Sequence, residues 1–303
     1  MQDNPAEGPA PWSMRDFSGM AVAALTPFED GGDLAPRLIP AYVDFLISGG
    51  ADGLMVGGTT GEFIAMDEDE RRRVLDAFVD AVDGRVPVIA HVGHAHPAVA
   101  HRLAARAADH GVAAIAAILP YFHPTSTGAV RDALVEIAAA QPAVPFLAYL
   151  HPATGNQLPA EELAVLMDAL PHVVGAKLSL ASWQDFEAFL PMLGRGVFFC
   201  GNDALLPAFV GKGGRASVTG NGAVYPEAVG AAMDALLGGD ADAWSSCAPL
   251  LDEVVGLTVG GSPDRLKELL RERGGDAGSA RVRTGASETG RGSASTALRA
   301  TFR

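Results

Sequence analysis

Cysteine is scarce in this chain: among 303 residues only Cys200 and Cys247 occur. Two thiols so placed build neither a disulfide framework nor a metal-ligand spacing, and they suit a reducing, cytoplasmic setting. Cations are outnumbered, with 22 Lys and Arg against 36 Asp and Glu and a net charge of −14. That balance argues against nucleic acid or anionic membrane as main partners, since both select basic surfaces. A small anionic substrate stays compatible with it, provided the site carries positive charge of its own. No apolar run reaches the roughly 18–20 residues that span a bilayer. Met1–Trp12 is polar and proline-rich, without the basic start and apolar core of a signal peptide. A soluble protein is expected. Nucleotide fingerprints are missing too: no G-x-G-x-x-G follows the first strand, and Gly211-Lys212-Gly213 lacks the Ser or Thr of a P-loop.

What is there is a large core, with 49% hydrophobic and 19% charged residues. The periodicity alternates. Apolar, β-branched runs at Met20–Phe28, Asp52–Gly58, Val86–Gly93, Val112–Pro120, Val144–Leu150, Val173–Leu180, Val197–Asn202 and Gly214–Gly222 read as strands. Helical spacing follows each of them, at Leu34–Ser48, Asp67–Val82, Pro97–His110, Gly128–Ala140, Pro159–Ala169, Trp183–Leu193, Leu205–Val210 and Pro226–Leu237. Strict alternation means a parallel sheet covered by helices, and eight units of this length close into a (β/α)8 TIM barrel. An open doubly wound sheet is the structural runner-up. The division predicted is a lead over 1–17, the barrel over 18–238, extra helices over 239–273 and a flexible tail over 274–303, which is poor in large apolar residues.

One residue breaks the strand pattern. Lys177 sits inside Val173-Val174-Gly175-Ala176-Lys177-Leu178. Lysine is almost never buried without cause, because desolvating an ammonium is costly. Burial favours the neutral amine, and a neutral amine attacks ketones to form Schiff bases. The plainer reading is a packed stem whose head reaches solvent or a carboxylate.

In a barrel of this kind the chemistry collects at the carboxyl ends of the strands. Those ends carry Thr26, Gly58-Thr59-Thr60-Gly61-Glu62, His91, His94, His96, Tyr121, Phe122, His123, Tyr149, His151, Lys177, Ser179, Gly201-Asn202-Asp203, Ser217, Thr219 and Asn221. Tyr149 and Lys177 fall on consecutive units, so neighbouring strands set them roughly 5 Å apart in the pairing direction. A phenol there can move protons during imine formation. The Gly-Thr-Thr-Gly loop offers hydroxyls and free N–H groups that suit a carboxylate, or else is a plain turn. The histidine-rich rim, with His94 and His96 as an H-x-H pair, raises a metal site as a rival, though no carboxylate is placed to complete it.

Leu25-Thr26-Pro27-Phe28, Gly58–Glu62, Pro87–Ala90, Pro120-Tyr121-Phe122, Tyr149-x-x-Pro152, Gly175-Ala176-Lys177 and Gly201-Asn202-Asp203 occur in this order at fitting spacing. The chain thereby resembles the dihydrodipicolinate synthase/N-acetylneuraminate lyase family of Schiff-base aldolases, over about residues 18 to 272. The resemblance implies that Lys177 forms an imine with pyruvate or another 2-oxo acid, that Thr59 and Thr60 hold its carboxylate, and that Tyr149 relays protons. It implies no metal or organic cofactor, an aldehyde as second substrate, and a homo-oligomer, dimer or tetramer. The catalytic set expected is Lys177, Tyr149 and Thr59; the substrate-binding set is Thr60, Gly58, Gly61, Gly201, Ala216, His151, His94, Asn202 and Asp203.

Departures from the family pattern bear on the substrate. Leu150 follows Tyr149 where the family has asparagine, and His151-Pro152-Ala153-Thr154-Gly155 lacks the arginine by which the synthases grip a second carboxylate. Phe122 stands where they carry a second relay tyrosine. Ala204 and Val218 replace an acid and a serine of the neuraminate lyases. By elimination a shorter 2-keto-3-deoxy sugar acid, or another hydroxylated or aromatic 2-oxo acid, is expected, with His94, His96, His123 and His151 as specificity contacts. A dehydratase of the same family, a true dihydrodipicolinate synthase, a metal-dependent barrel hydrolase and a non-catalytic 2-oxo acid binder are the alternatives.

Overall fold

A computed structural model describes residues 12–258, 261–285, 294–295 and 297–298. Eight strands run parallel and close in sequence order: β1 Gly19–Ala23, β2 Gly53–Val56, β3 Val88–His91, β4 Ala114–Ile118, β5 Phe146–Leu150, β6 Val173–Leu178, β7 Val197–Cys200 and β8 Ala216–Thr219. Every residue of every strand is buried. This is why the sequence shows apolar runs rather than alternation, as both faces of a parallel sheet are covered. The TIM barrel is confirmed.

The covering helices are α1 Ile39–Ser48, α2 Glu68–Val82, α3 Pro97–Asp109, α4 Thr127–Ala139, α5 Ala160–Ala169, α6 Trp183–Glu187, α7 Leu206–Gly211 and α8 Pro226–Gly238. Two more, α9 Ala241–Thr258 and α10 Pro263–Glu272, follow the barrel. Helix α2 starts on a capping box, in which the Asp67 carboxylate accepts from Glu70 N–H and the Glu70 carboxylate accepts from Asp67 N–H. Helix α6 is shorter than the helical spacing suggests. After Glu187 the chain tightens into a 3₁₀ stretch over Leu190–Arg195; Pro191, lacking an N–H, sits at its start. No helix among the described residues is long and apolar enough to cross a membrane.

Both chain ends differ from their compositional reading. Met14 and Phe17, inside the expected lead, are buried, and the Phe17 ring lies 5.3 Å from Phe199 of β7. Residues 1–11 lie outside the described ones. Of the stretch 274–303, read as a solvated tail, residues 274–285 dock on the barrel. Ser279 pairs with Phe28, and the Arg281 guanidinium lies 4.1 Å over the Phe28 ring and donates to Glu70 at 2.6 and 2.7 Å. The docking uses polar groups, so hydrophobicity gave no sign of it.

Candidate active site

The placement of Lys177 begins with a bulge. At the foot of the β5–β6 pair Phe146 lies opposite Val173, but Leu147 lies opposite Gly175, so Val174 is an extra residue. The slip carries through the pair and puts Lys177, not Ala176, opposite Tyr149. Gly175 makes the bulge possible. Its φ of +153° is one that side chains rarely adopt, and a Cβ there would fall 1.7 Å from the Val197 carbonyl oxygen.

Lys177 is 5% exposed, and its Nζ lies 4.2 Å from the centre of the Tyr149 ring and 3.7 Å from Met55 Sδ. Among the described residues the amine meets a π face and a thioether rather than a carboxylate. The Tyr149 hydroxyl is 3.1 Å from Thr59 Oγ1. Its ring stands edge-on between His91 and His151, with centroids 5.9 and 5.8 Å away. The amine thus lies over the Tyr149 ring, whose hydroxyl meets the threonine hydroxyl, and all three residues line one cavity. An amine so placed can attack a carbonyl, and the phenol can pass protons to and from the adduct.

The Gly58–Glu62 loop is held from below and from behind. Beneath it, His91 is buried. The backbone N–H of Ile118 donates to His91 Nε2 at 3.3 Å, which leaves the proton on Nδ1, donating to Gly57 O at 2.8 Å. Burial, reinforced by the buried Arg71, holds the His91 pKa well below the ordinary imidazole value, so the ring is a neutral strut. Behind the loop, Thr26 Oγ1 donates to Gly61 O at 2.7 Å. Glu62 adopts left-handed backbone geometry at φ 58° and turns its carboxylate into the protein. There it accepts from Lys267 Nζ of α10 and from the N–H groups of Arg281 and Val282, each at 2.7 Å. Lys267 also donates to Thr26 O at 2.6 Å and Ser279 O at 2.7 Å. The Thr59-Thr60 loop is therefore tied to the docked carboxyl-terminal segment.

Across the barrel, Asp203 is buried, with its Oδ2 accepting from Thr219 Oγ1 and, at 2.7 Å, from Asn221 Nδ2. Among the described residues its Oδ1 has no hydrogen-bond partner. Burial pushes its pKa up to about 6, against the pull of those two donors and of Lys177. Asn221 Oδ1 in turn accepts from Thr258 Oγ1 of α9 at 2.6 Å. Burial and the nearby Lys177 lower His151 to about 4, so its ring is neutral at pH 7; Nδ1 accepts from Ala153 N–H, leaving Nε2–H as the donor.

Lys177, Tyr149, Thr59, Thr60, His151, Gly201, Asn202 and Asp203 all line one cavity of about 380 Å³. The other expected contacts lie elsewhere. Gly61 is in the loop but off the cavity wall, and a Cβ on it would meet Ala24 O at 3.0 Å. Gly58 is likewise off the wall. Ala216 is buried low in β8, and Val218, two residues on, reaches the cavity. His94 borders a separate cavity with Tyr121, Phe122 and His123. The H-x-H pair has a local use: His94 Nδ1 accepts from His96 N–H at 2.9 Å, and His96 Nδ1 from Ala98 N–H at 3.3 Å, capping α3. Among the described residues no three His, Cys, Asp or Glu side chains converge as metal ligands do. Val255 and Thr258 of α9 also line the cavity; no motif marks them, and the extra helix after the barrel brings them there.

A closed parallel barrel with a buried lysine and a tyrosine paired across adjacent strand ends is a framework for amine chemistry on a carbonyl. Residues 16–292 match the dihydrodipicolinate synthetase family. A 4-hydroxy-tetrahydrodipicolinate synthase of Exiguobacterium sp. (strain ATCC BAA-1283 / AT1b) is 29% identical over 272 residues, 88% of this chain and 91% of that protein. The N-acetylneuraminate lyase of Homo sapiens is 36% identical over 177 residues, 57% of this chain and 55% of that protein. A crystal structure of N-acetylneuraminate lyase from Mycoplasma synoviae superposes with a TM-score of 0.80 at 26% identity, covering 88% of this chain and 92% of that one. The chain belongs to the dihydrodipicolinate synthetase family and is an enzyme of its lyase type.

Proposed function

We propose that this enzyme makes or breaks a carbon–carbon bond of a 4-hydroxy-2-oxo acid of the 2-keto-3-deoxy type through an imine on Lys177, with pyruvate as the carbonyl partner. The observation that carries the reading is Lys177 Nζ lying 4.2 Å from the centre of the Tyr149 ring, whose hydroxyl is 3.1 Å from Thr59 Oγ1. In the cleavage direction the amine adds to C2 and water leaves, giving an iminium. The proton of the C4 hydroxyl is removed, the C3–C4 bond breaks, and its electron pair moves into the iminium as an enamine while the aldehyde departs. Protonation at C3 and hydrolysis return the lysine and release pyruvate. Tyr149 serves the proton transfers. Thr59 and Thr60 hold the carboxylate by hydroxyl and loop N–H groups. Because the iminium is the electron sink, this route assigns no step to a metal or organic cofactor.

Among the described residues lining the cavity Lys177 is the one cation. A substrate with a second carboxylate, as a true dihydrodipicolinate synthase requires, therefore finds no counter-charge among the described residues, which favours a lyase of hydroxylated 2-oxo acids. Asp203, Asn202 and His151 supply acceptors and donors for hydroxyls. A cytoplasmic homo-oligomer completes the proposal; Phe122, 86% exposed at φ 79°, and Ile64, 66% exposed, border one apolar surface cavity that suits contact with another copy.

The test is pyruvate release from a panel of 4-hydroxy-2-oxo acids, followed through lactate dehydrogenase in EDTA. The reading expects pyruvate from wild type and none from Lys177→Ala. Loss of activity in EDTA with Lys177→Ala unaffected would point to a metal enzyme, and a dehydrated 2-oxo acid without pyruvate would point to a dehydratase.

A further inference from the structure

A second cavity of about 320 Å³ lies beside the first. The two share His151, Pro152, Leu180 and Ala181 as lining residues, so they are neighbours along that wall. Their chemistry differs. The first presents hydroxyls, amides, a carboxyl and the Lys177 amine; the second is backed by Leu119, Leu150, Leu158 and Phe189, all buried, with Gln157 and Gln184 exposed among its lining residues. Its one asparagine is spent on the fold: Asn156 Nδ2 donates to Pro120 O at 2.8 Å and His123 O at 2.9 Å, and its Oδ1 accepts from Thr125 N–H at 2.7 Å.

Charge narrows the occupant further. Among the described residues no Lys or Arg lines the second cavity, and the exposed Glu161 and Asp185 do. A carboxylate or phosphate carried there would be desolvated without a counter-ion and would face like charge. An apolar group would leave water against leucine and phenylalanine instead.

We propose that this cavity is the subsite for the far end of the aldehyde half of the substrate, and that this end is an uncharged aryl or alkyl group. The inference rests on the imine reading above and narrows it. The pyruvate half, its carboxylate and the reacting C4 oxygen stay in the first cavity; the group attached to C4 passes over Pro152 and Ala181 into the second.

The test is condensation. The pyruvate enamine attacks the aldehyde carbon through C3, the aldehyde oxygen takes a proton, and hydrolysis frees the 4-hydroxy-2-oxo acid. The aldehydes compared are acetaldehyde, 3-phenylpropanal, succinic semialdehyde and glyceraldehyde 3-phosphate. Burying a phenylalkyl group predicts a kcat/KM for 3-phenylpropanal on the order of ten- to a hundredfold above acetaldehyde, with both anionic aldehydes below acetaldehyde. Ala188→Trp, at the exposed residue that follows α6 and lines the second cavity, fills it. It should remove at least tenfold of the 3-phenylpropanal rate while sparing acetaldehyde and the borohydride-trapped pyruvate adduct. Preference for an anionic aldehyde, equal loss with both neutral aldehydes in the variant, or no condensation by a protein that traps pyruvate would overturn the subsite. Absence of a pyruvate adduct in wild type would instead overturn the imine reading, and the subsite with it.

Discussion

Replacing Tyr149 with phenylalanine removes one oxygen and leaves nearly everything else. The ring still underlies Lys177 Nζ at 4.2 Å and still meets the edges of His91 and His151. The lost partner is Thr59, on the exposed loop, whose hydroxyl can turn to water. Stability should fall by about 0.5–1.5 kcal/mol, the net worth of one ordinary hydrogen bond. A proton relay is worth more: about 10²- to 10⁴-fold in rate, or roughly 2.7–5.4 kcal/mol of barrier. The two effects differ enough to be read separately. The assay needs no aldehyde, because a pyruvate imine in equilibrium with its enamine exchanges the methyl protons of pyruvate. In D2O the methyl signal should fade with wild type and fade at least a hundredfold more slowly with Tyr149→Phe, while the melting temperature moves by only a few degrees. Thr59→Val should also slow exchange, and the double variant should lose much less than the product of the two, as expected of residues acting as a unit. Exchange by Tyr149→Phe within threefold of wild type would refute the relay.

Further predictions bear on the fold around the site. Gly175→Ala forces a Cβ to within 1.7 Å of the Val197 carbonyl oxygen at an unfavourable φ; a loss of about 3 kcal/mol or more is expected in urea unfolding, with Lys177 displaced and exchange abolished, and a fully active variant would contradict the bulge. Lys267→Met leaves the Glu62 carboxylate buried without its cation and should cost about 3–5 kcal/mol, whereas a change below about 1 kcal/mol would show that the pair carries little. Asp203, raised by burial to about 6 from 3.8, binds more protons folded than unfolded between those values. Stability therefore decreases as pH rises from about 4 to 6, by roughly 3 kcal/mol at most. Asp203→Asn should flatten that slope in thermal melts, and an unchanged slope would reassign it to other groups.

Much of this arrangement was legible in the residues. Eight apolar runs alternating with helical spacing gave the barrel, because burial on both faces writes a parallel strand as a continuous hydrophobic stretch. Lys177 stood out for the converse reason, being a charged residue in the interior of such a run rather than at its start. What stayed hidden depends on contacts between distant segments. Nothing local marks the extra residue Val174, which decides that Lys177 rather than Ala176 faces Tyr149. The 274–285 segment looked like a tail, yet Glu62 and Lys267 hold it by three hydrogen bonds of 2.7 Å to Arg281, Val282 and Ser279. Glu62 was visible as the end of the Gly-Thr-Thr-Gly-Glu motif, but its partner lies 205 residues on. The H-x-H pair suggested ligands or specificity contacts, whereas both rings accept backbone N–H bonds at the start of α3. A histidine does not announce from its spacing whether its ring nitrogen serves a substrate or a cap.

The imine itself is the central claim, and reduction in place tests it most directly. Protein incubated with pyruvate and sodium borohydride should gain the mass of a reduced pyruvate adduct once per chain, and peptide mapping should put that adduct on Lys177, with Lys177→Ala unlabelled. Labelling at another lysine, or none with pyruvate and larger 2-oxo acids, would return Lys177 to a structural role and contradict the mechanism.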